Sequence, residues 1–352
     1  MKFNNSITNT TPRILVTLGP ASFKSEIIKE IAEESIYLFR INLSHTPLGE
    51  LKEKIIYIQQ QTDVPICLDS EGAQIRNQYI AGGHAVLKEG DLIKIHYKEV
   101  LGDSNNISFY PEHIAEQLEI GDAISIDFNS VLIRVIEKNK DYCIASIESG
   151  GLIGSNKAVN VNRHIDLPSI TDKDKKAINI AIDLGIRHYA LSFANSKEVV
   201  RMLRGIVPED SSIISKIESA NGLRNLDGII NESDEIIIDR GDLSREISLS
   251  KIPFLQRRIV SAARSKSTPV YVATNLLESM VKSKLPTRAE INDVVSTLLM
   301  GADGLVLASE TAIGKYPLGS VKMIKSLIDQ FLKWTPDTSI EELLQSEAII
   351  TK

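Results

Sequence analysis

Eight short apolar strands can be read along this chain, most of them followed by an amphipathic helix, with the series interrupted once. Segments 13–19 (RILVTLG), 37–44 (YLFRINLS) and 65–70 (PICLDS) carry the β-branched and large apolar residues of buried strands. Between them, apolar residues recur at helical spacing, as at Ile27, Ile28 and Ile31 and at Leu51, Ile55 and Ile58. From 78 to 163 the helical period fades. Short strands such as GDLIKI, GDAISI and CIASIES take over, punctuated by Gly-Asp pairs and Asn, the pattern of an inserted all-β domain. The alternation then resumes, with strands at 188–193, 212–218, 235–241, 269–274 and 304–309 and a last helix at 318–334. Strands apolar on both faces and joined through helices demand a parallel sheet. Segments 1–77 and 164–335 together come near the ~250 residues of a (β/α)8 TIM barrel. No glycine-rich dinucleotide fingerprint follows the first strand, which weighs against an open doubly wound sheet. The expected organisation is a barrel at 1–77 and 164–335, an inserted β domain at 78–163, and a short tail at 336–352.

Composition narrows the function by exclusion. The formal net charge is −6 and aromatics make up 5% of residues, without clustering among basic ones, so neither a nucleic-acid nor a membrane-surface role is expected. No run approaches a membrane span, and MKFNNSITNT lacks the apolar core of a signal peptide. Two cysteines, Cys67 and Cys143, make no disulfide framework, and a cytoplasmic location is the expectation.

Barrel enzymes do their chemistry at the C-terminal ends of the strands, and here those ends are polar. Strand two ends in Arg40-Ile41-Asn42-Leu43-Ser44, and strand three in Asp69-Ser70 with Arg76 soon after. Strand five ends in Lys216-Ile217-Glu218, strand six in Asp239-Arg240-Gly241-Asp242, strand seven in Thr274-Asn275 and strand eight in Ser309-Glu310-Thr311. Any one of these could be a solvated strand end. Six together would bring many charges to one mouth, which is costly unless they have work to do. Glu218 and Asp242 are hard oxygen ligands suited to Mg2+ or Mn2+. Arg40 and Arg76 suit phosphate or carboxylate, and Lys216 can sit where negative charge develops. Asn42, Ser44, Asp69 and Ser70 suit a monovalent cation, and the backbone amides after Gly241 could hold a carboxylate. Together they point to phosphoryl transfer.

These residues resemble the pyruvate kinase family over roughly 12–330. The similarity rests on TLGPAS at Thr17–Ser22, RINLSH at Arg40–His45, IISKIE at Ile213–Glu218, RGDL at Arg240–Leu243, PTRAE at Pro286–Glu290 and ETA at Glu310–Ala312. The resemblance implies a reaction of phosphoenolpyruvate with ADP giving pyruvate and ATP, with the inserted domain as a lid that closes to exclude water. Lys216 would stabilise the phosphoryl group in flight and the enolate. Glu218 and Asp242 would hold the divalent metal, and Arg40 the transferred phosphate. Asn42, Ser44, Asp69 and the backbone of Ser70 would hold K+. Thr274 would lie near the enol carbon or carboxylate. Lys157, in a GSNK run at 154–157, would meet the nucleotide phosphates with Arg76 close by.

The chain also departs from the family. Asp239 stands where the family has alanine, adding a carboxylate beside the place for the substrate's own. Ser244 replaces a glycine, Ala308-Ser309 a Ser-Gly pair and Ile313 a lysine. Glu71 reverses a charge and Gln74 replaces a residue tied to K+ use, so K+ dependence stays open. No counterpart of the family's C-terminal α/β domain follows the eighth helix, so that domain's effector control is not expected, and a homodimer stays open. Two alternatives remain beside a pyruvate kinase. One is a related phosphotransferase acting on a different enol phosphate or oxo-acid. The other is a catalytically weak regulatory protein that binds metal and phosphate.

Overall fold

A computed structural model describes residues 11–345 apart from 73, 128, 129, 164, 166 and 169. The described residues form two compact units, one within 1–70 and 173–352 and the other within 71–172. Within the smaller unit Arg76–Asn77 pairs with the strand Asn106–Tyr110, and Val159–Val161 pairs with Ala123–Ile126.

The larger unit is a closed barrel of eight parallel strands: β1 (Arg13–Thr17), β2 (Leu38–Asn42), β3 (Ile66–Asp69), β4 (His188–Leu191), β5 (Ser212–Ile217), β6 (Glu235–Asp239), β7 (Val270–Ala273) and β8 (Gly304–Leu307). Each strand pairs with its sequence neighbour, and β8 closes on β1. Amphipathic helices such as Leu48–Gln59, Asp172–Asp183 and Ile252–Ser265 connect them. The connection between β5 and β6 holds two short helices, Ala220–Arg224 and Leu226–Glu232, broken at Asn225.

Inside the barrel, one buried layer takes a residue from every strand: Leu15, Leu38, Cys67, Ala190, Ile214, Ile237, Tyr271 with Ala273, and Val306. Side chains two residues apart on a strand share a face. Two residues beyond this layer stand Thr17, Arg40, Asp69, Ser192, Lys216 and Asp239. Two residues before it stand Arg13, His188 and Glu235. The apolar layer therefore separates a polar set at each end of the strands.

The smaller unit is a seven-stranded, mainly antiparallel sheet with a separate two-stranded pair, His84–Leu87 with Gly151–Gly154. Among its described residues the helix His113–Gln117 packs with the sheet. Alternation of buried and half-exposed residues along Val131–Lys138 and Tyr142–Ser149 supplies its own apolar core.

Candidate active site

The strand ends bring Lys216 into a buried ionic cluster. Its Nζ lies 3.2 Å from Glu218 Oε2, 3.5 Å from Asp69 Oδ1 and 3.9 Å from Asp239 Oδ2, and it donates a 3.0 Å hydrogen bond to Ser192 Oγ. Lys216 is 5% exposed and Glu218 1%. Burial alone would push the lysine down. Asp69, then Glu218 and Asp239, outweigh it and hold its pKa above the ordinary lysine value. Burial pushes Glu218 up to about 8 against the pull of Lys216, with Asp242, Asp239 and Asp69 adding to the rise. Asp242 is raised by burial and then by Asp239, while Lys216 and Arg245 oppose.

Arg40 is fixed from two sides. Its Nε donates to Thr17 Oγ1 at 2.9 Å, and its Nη1 faces Asp69 Oδ2 at 3.1 Å. Asn42 pairs with Asp69 across β2 and β3, and its side chain accepts from Ser44 N at 2.9 Å, capping the turn Leu43–His45. Ser70 follows directly, donating its N–H to Ala190 O at 2.9 Å. The four residues expected to hold a monovalent cation thus lie at the ends of two adjacent strands and just beyond them.

Glu218, Asp239 and Asp242 each offer a carboxylate oxygen within 4.8 Å of the others. Glu218 Oε1 accepts from Phe193 N at 2.7 Å, while Oε2 is buried without a hydrogen bond. A buried carboxylate oxygen with no hydrogen-bond donor, beside two further carboxylates, is the donor set that a hard divalent cation fits.

Asp239 has a second contact. Its Oδ1 accepts from Gly241 N at 3.2 Å, Asp242 N at 3.4 Å and Thr274 Oγ1 at 3.4 Å. The amides after Gly241, expected to hold a carboxylate, already hold this one. Thr274 itself has φ +69°, strained for a β-branched residue. In that conformation its hydroxyl accepts from Gly241 N at 2.8 Å and its carbonyl accepts from Arg240 Nε and Nη2.

Some signature residues hold structure instead. Glu310 is fully buried and accepts from the amides of Leu277 and Ala308. Thr287 and Glu290 of the PTRAE run form a capping box at the start of helix Arg288–Leu299. Ser309 donates to Glu278 Oε2, and Ser244 to Gly241 O. In the smaller unit, Arg76 donates to Asn156 O at 3.0 Å, and Lys157 Nζ pairs with Asp127 at 3.3 Å. Arg76 therefore contacts the turn that carries Lys157. Three residues at the barrel site went unread in the sequence: Thr17, Ser192 and Arg245, the last pairing with Asp242 Oδ1 at 2.9 Å. Counting two residues on from the inner layer would have found the first two.

A closed parallel barrel with a buried lysine, arginine and carboxylate cluster at the carboxyl ends of its strands defines a barrel enzyme of the phosphotransferase kind. The comparisons agree in detail. The family model "Pyruvate kinase, barrel domain" matches residues 9–321. The chain is 33% identical to the pyruvate kinase of Thermotoga maritima over 324 residues, covering 90% of this chain and 70% of that one. It is 32% identical to that of Thermococcus litoralis, covering 90% and 68%. A crystal structure of a pyruvate kinase from Cryptosporidium parvum superposes with a TM-score of 0.82 at 31% identity, covering 95% of this chain and 71% of that one. The chain belongs to the pyruvate kinase family and is a pyruvate kinase-like phosphotransferase.

Proposed function

We propose that this chain transfers a phosphoryl group between phosphoenolpyruvate and ADP, giving pyruvate and ATP. The observation that carries this reading is the buried Lys216 ammonium, held beside Glu218 and Asp69 at the mouth of the barrel. In the forward direction the bond between phosphorus and the enol oxygen breaks, a terminal phosphate oxygen of ADP takes the phosphorus, and the enolate left behind takes a proton at carbon. Lys216 opposes the charge that builds on the moving group and on the enolate oxygen. Arg40, locked by Thr17 and Asp69, orients the phosphate. Thr274 borders the organic part of the substrate together with Gly241 and Asp239. Arg76 and Lys157 serve the nucleotide phosphates.

Glu218 and Asp242 would hold Mg2+ or Mn2+, which when bound neutralises phosphate charge and polarises the enolate oxygen. Asn42, Ser44, Asp69 and Ser70 would hold K+. No described helix is long and apolar enough to cross a membrane, and the cytoplasm is the location that fits this chemistry. The test is pyruvate formation from phosphoenolpyruvate and ADP with Mg2+ or Mn2+, with and without K+. Turnover in the wild type that falls steeply in Lys216→Met is the expected result, and an inert wild type defeats the reading.

The carboxylate of Asp239 on the Gly241 and Asp242 amides favours a second reading, an enol phosphate or oxo-acid that lacks a carboxylate at that position. Turnover of such a compound with none of phosphoenolpyruvate would select it.

A further inference from the structure

We propose that Ser192 is a positioning residue that aims the Lys216 ammonium and ties it to the Asp69–Ser70 turn. This rests on Lys216 acting as proposed above, and the experiment below separates the two.

Ser192 directly follows β4 and is 3% exposed. An ammonium carries three protons and no acceptor, so toward Lys216 the serine can only accept. The Ser192 proton therefore goes elsewhere, and Ser70 O at 2.6 Å is its near acceptor, with Asp69 Oδ1 more distant at 3.4 Å. The serine backbone doubles the link, since Ser192 N donates to Ser70 Oγ at 2.9 Å. One hydroxyl thus joins two groups of the site: it accepts from Lys216 and donates to the carbonyl of Ser70. That carbonyl keeps a second lone pair for a cation.

Among the described residues this is the hydrogen bond of the Lys216 ammonium. Glu218 and Asp69 meet it as ion pairs at 3.2 and 3.5 Å. Ion pairs attract along broad directions, whereas a hydrogen bond fixes one N–H and, through the tetrahedral nitrogen, the other two. A neutral acceptor does this without adding a fourth carboxylate to a lysine that already faces three.

The next residue reinforces the bracket. Phe193 has φ +50°, unusual for an aromatic residue, and that turn lays its amide on Glu218 Oε1 at 2.7 Å. Ala194 N then donates to Lys216 O at 3.3 Å. The exit of β4 therefore grips Lys216 by side chain and backbone and grips Glu218 by side chain. Local strain held next to a catalytic group is the expected signature of positioning.

The experiment uses the full chain. Ser192→Ala is expected to lower kcat by about 10- to 100-fold, the loss that misaiming a catalytic group by an ångström can cause, with the KM for ADP nearly unchanged. Ser192→Thr, which restores the hydroxyl, is expected to recover most of kcat. The second readout needs no turnover: lysine 15N labelling, with the Lys216 ammonium assigned as the signal missing from Lys216→Arg. That signal is expected to shift or broaden in Ser192→Ala and to return in Ser192→Thr. An unmoved signal in a folded Ser192→Ala overturns the inference whether or not the wild type makes pyruvate. A moved signal with no wild-type turnover supports the bracket and sinks only the assigned reaction. Equal kcat loss in Ser192→Ala and Ser192→Thr also overturns it, because packing rather than the hydroxyl would then be at stake.

Discussion

The barrel core is capped at each end by an ionic network, and the two close differently. At the amino ends of the strands, Glu235 Oε1 accepts from Arg13 Nη1 at 2.9 Å and from Tyr37 OH at 2.7 Å. Arg13 also donates to Tyr271 OH at 2.9 Å and lies 4.2 Å from the centre of the Tyr37 ring. One anion meets one cation and two phenols, and the charges balance locally. At the carboxyl ends, Arg40 and Lys216 face Asp69, Glu218 and Asp239, while Asp242 draws on Arg245. There the acidic groups outnumber the basic ones, and burial lets Glu218 keep a proton up to about pH 8. A plug needs balance, whereas a site for cations and phosphate keeps surplus acidic groups whose protons a cation can replace. The largest expected effect tests this division directly. Lys216→Met should lower kcat by about 10³-fold, the scale of removing one electrostatic stabiliser, while Glu235→Gln leaves kcat within a few-fold. Steady-state pyruvate formation measures both, and comparable losses at the two ends would erase the distinction.

The difference also predicts a pH dependence. Glu218 has an ordinary value of 4.5 and is pushed up to about 8, so between those pH values the folded protein holds a proton that the unfolded chain has released. Stability of the metal-free protein must then fall as pH rises from about 4.5 through about 8, by on the order of a few kcal/mol. Asp242, also raised, adds with the same sign. Lys216, raised above 10.5, contributes stability that is complete throughout this window and is lost only at higher pH. Glu235 is raised by burial as well, so both ends contribute. Mn2+ should flatten the Glu218 and Asp242 share by taking the place of their protons, and should leave the Glu235 share. Urea titrations across pH 5–8, with and without Mn2+, on wild type and Glu218→Gln would measure this. A slope that Glu218→Gln leaves intact contradicts the assignment.

Stability should also respond unequally to anion removal at the two ends. Glu235→Ala leaves Arg13 and Tyr37 without their acceptor and should cost about 1–3 kcal/mol. Asp239→Ala takes a carboxylate from the crowded end and should cost less. It should also raise phosphoenolpyruvate affinity roughly 10-fold, one pK-unit's worth of relieved repulsion, because the Gly241 and Asp242 amides and Thr274 Oγ1 are released. Urea midpoints and KM measure the pair. Unchanged or weaker phosphoenolpyruvate binding would mean that Asp239 does not compete with the substrate.

The same contrast marks what could be read without a structure. The barrel was legible because its strands are apolar on both faces, and that pattern recurs in the barrel strands from Arg13–Thr17 to Gly304–Leu307. Lys216, Glu218 and Arg40 were legible because charged residues at buried strand ends are conspicuous. Ser192 and Thr17 were not, since a serine or threonine at a strand end looks like ordinary turn chemistry until period-two counting puts it on the inner face. Asp239 read as a clash beside the substrate, and folded it is also a helix cap. The capping oxygen and the face toward Lys216 belong to one carboxylate, and sequence cannot divide one group between two roles. Glu310 misled for the opposite reason: it is a strand-end acid spent entirely on the backbone amides of Leu277 and Ala308.

Arg245 offers the smallest test of the imbalance at the carboxyl end. It lies one helical turn past Asp242 and holds Asp242 Oδ1 at 2.9 Å, with a quarter of its side chain exposed. A divalent cation taken up by Asp242 must share that carboxylate with the guanidinium or displace it. Partly exposed pairs of this kind contribute about 0.2–1 kcal/mol, which corresponds to a gain of only about 1.4- to 5-fold in metal affinity when the arginine is removed. Arg245→Met should therefore bind Mn2+ a few-fold more tightly in a titration followed by electron paramagnetic resonance, without substrate present. Weaker Mn2+ binding would reverse the argument: Arg245 would then be orienting Asp242 for the cation rather than competing with it, and the excess anion at this end would be preorganised by its neighbours instead of neutralised by them.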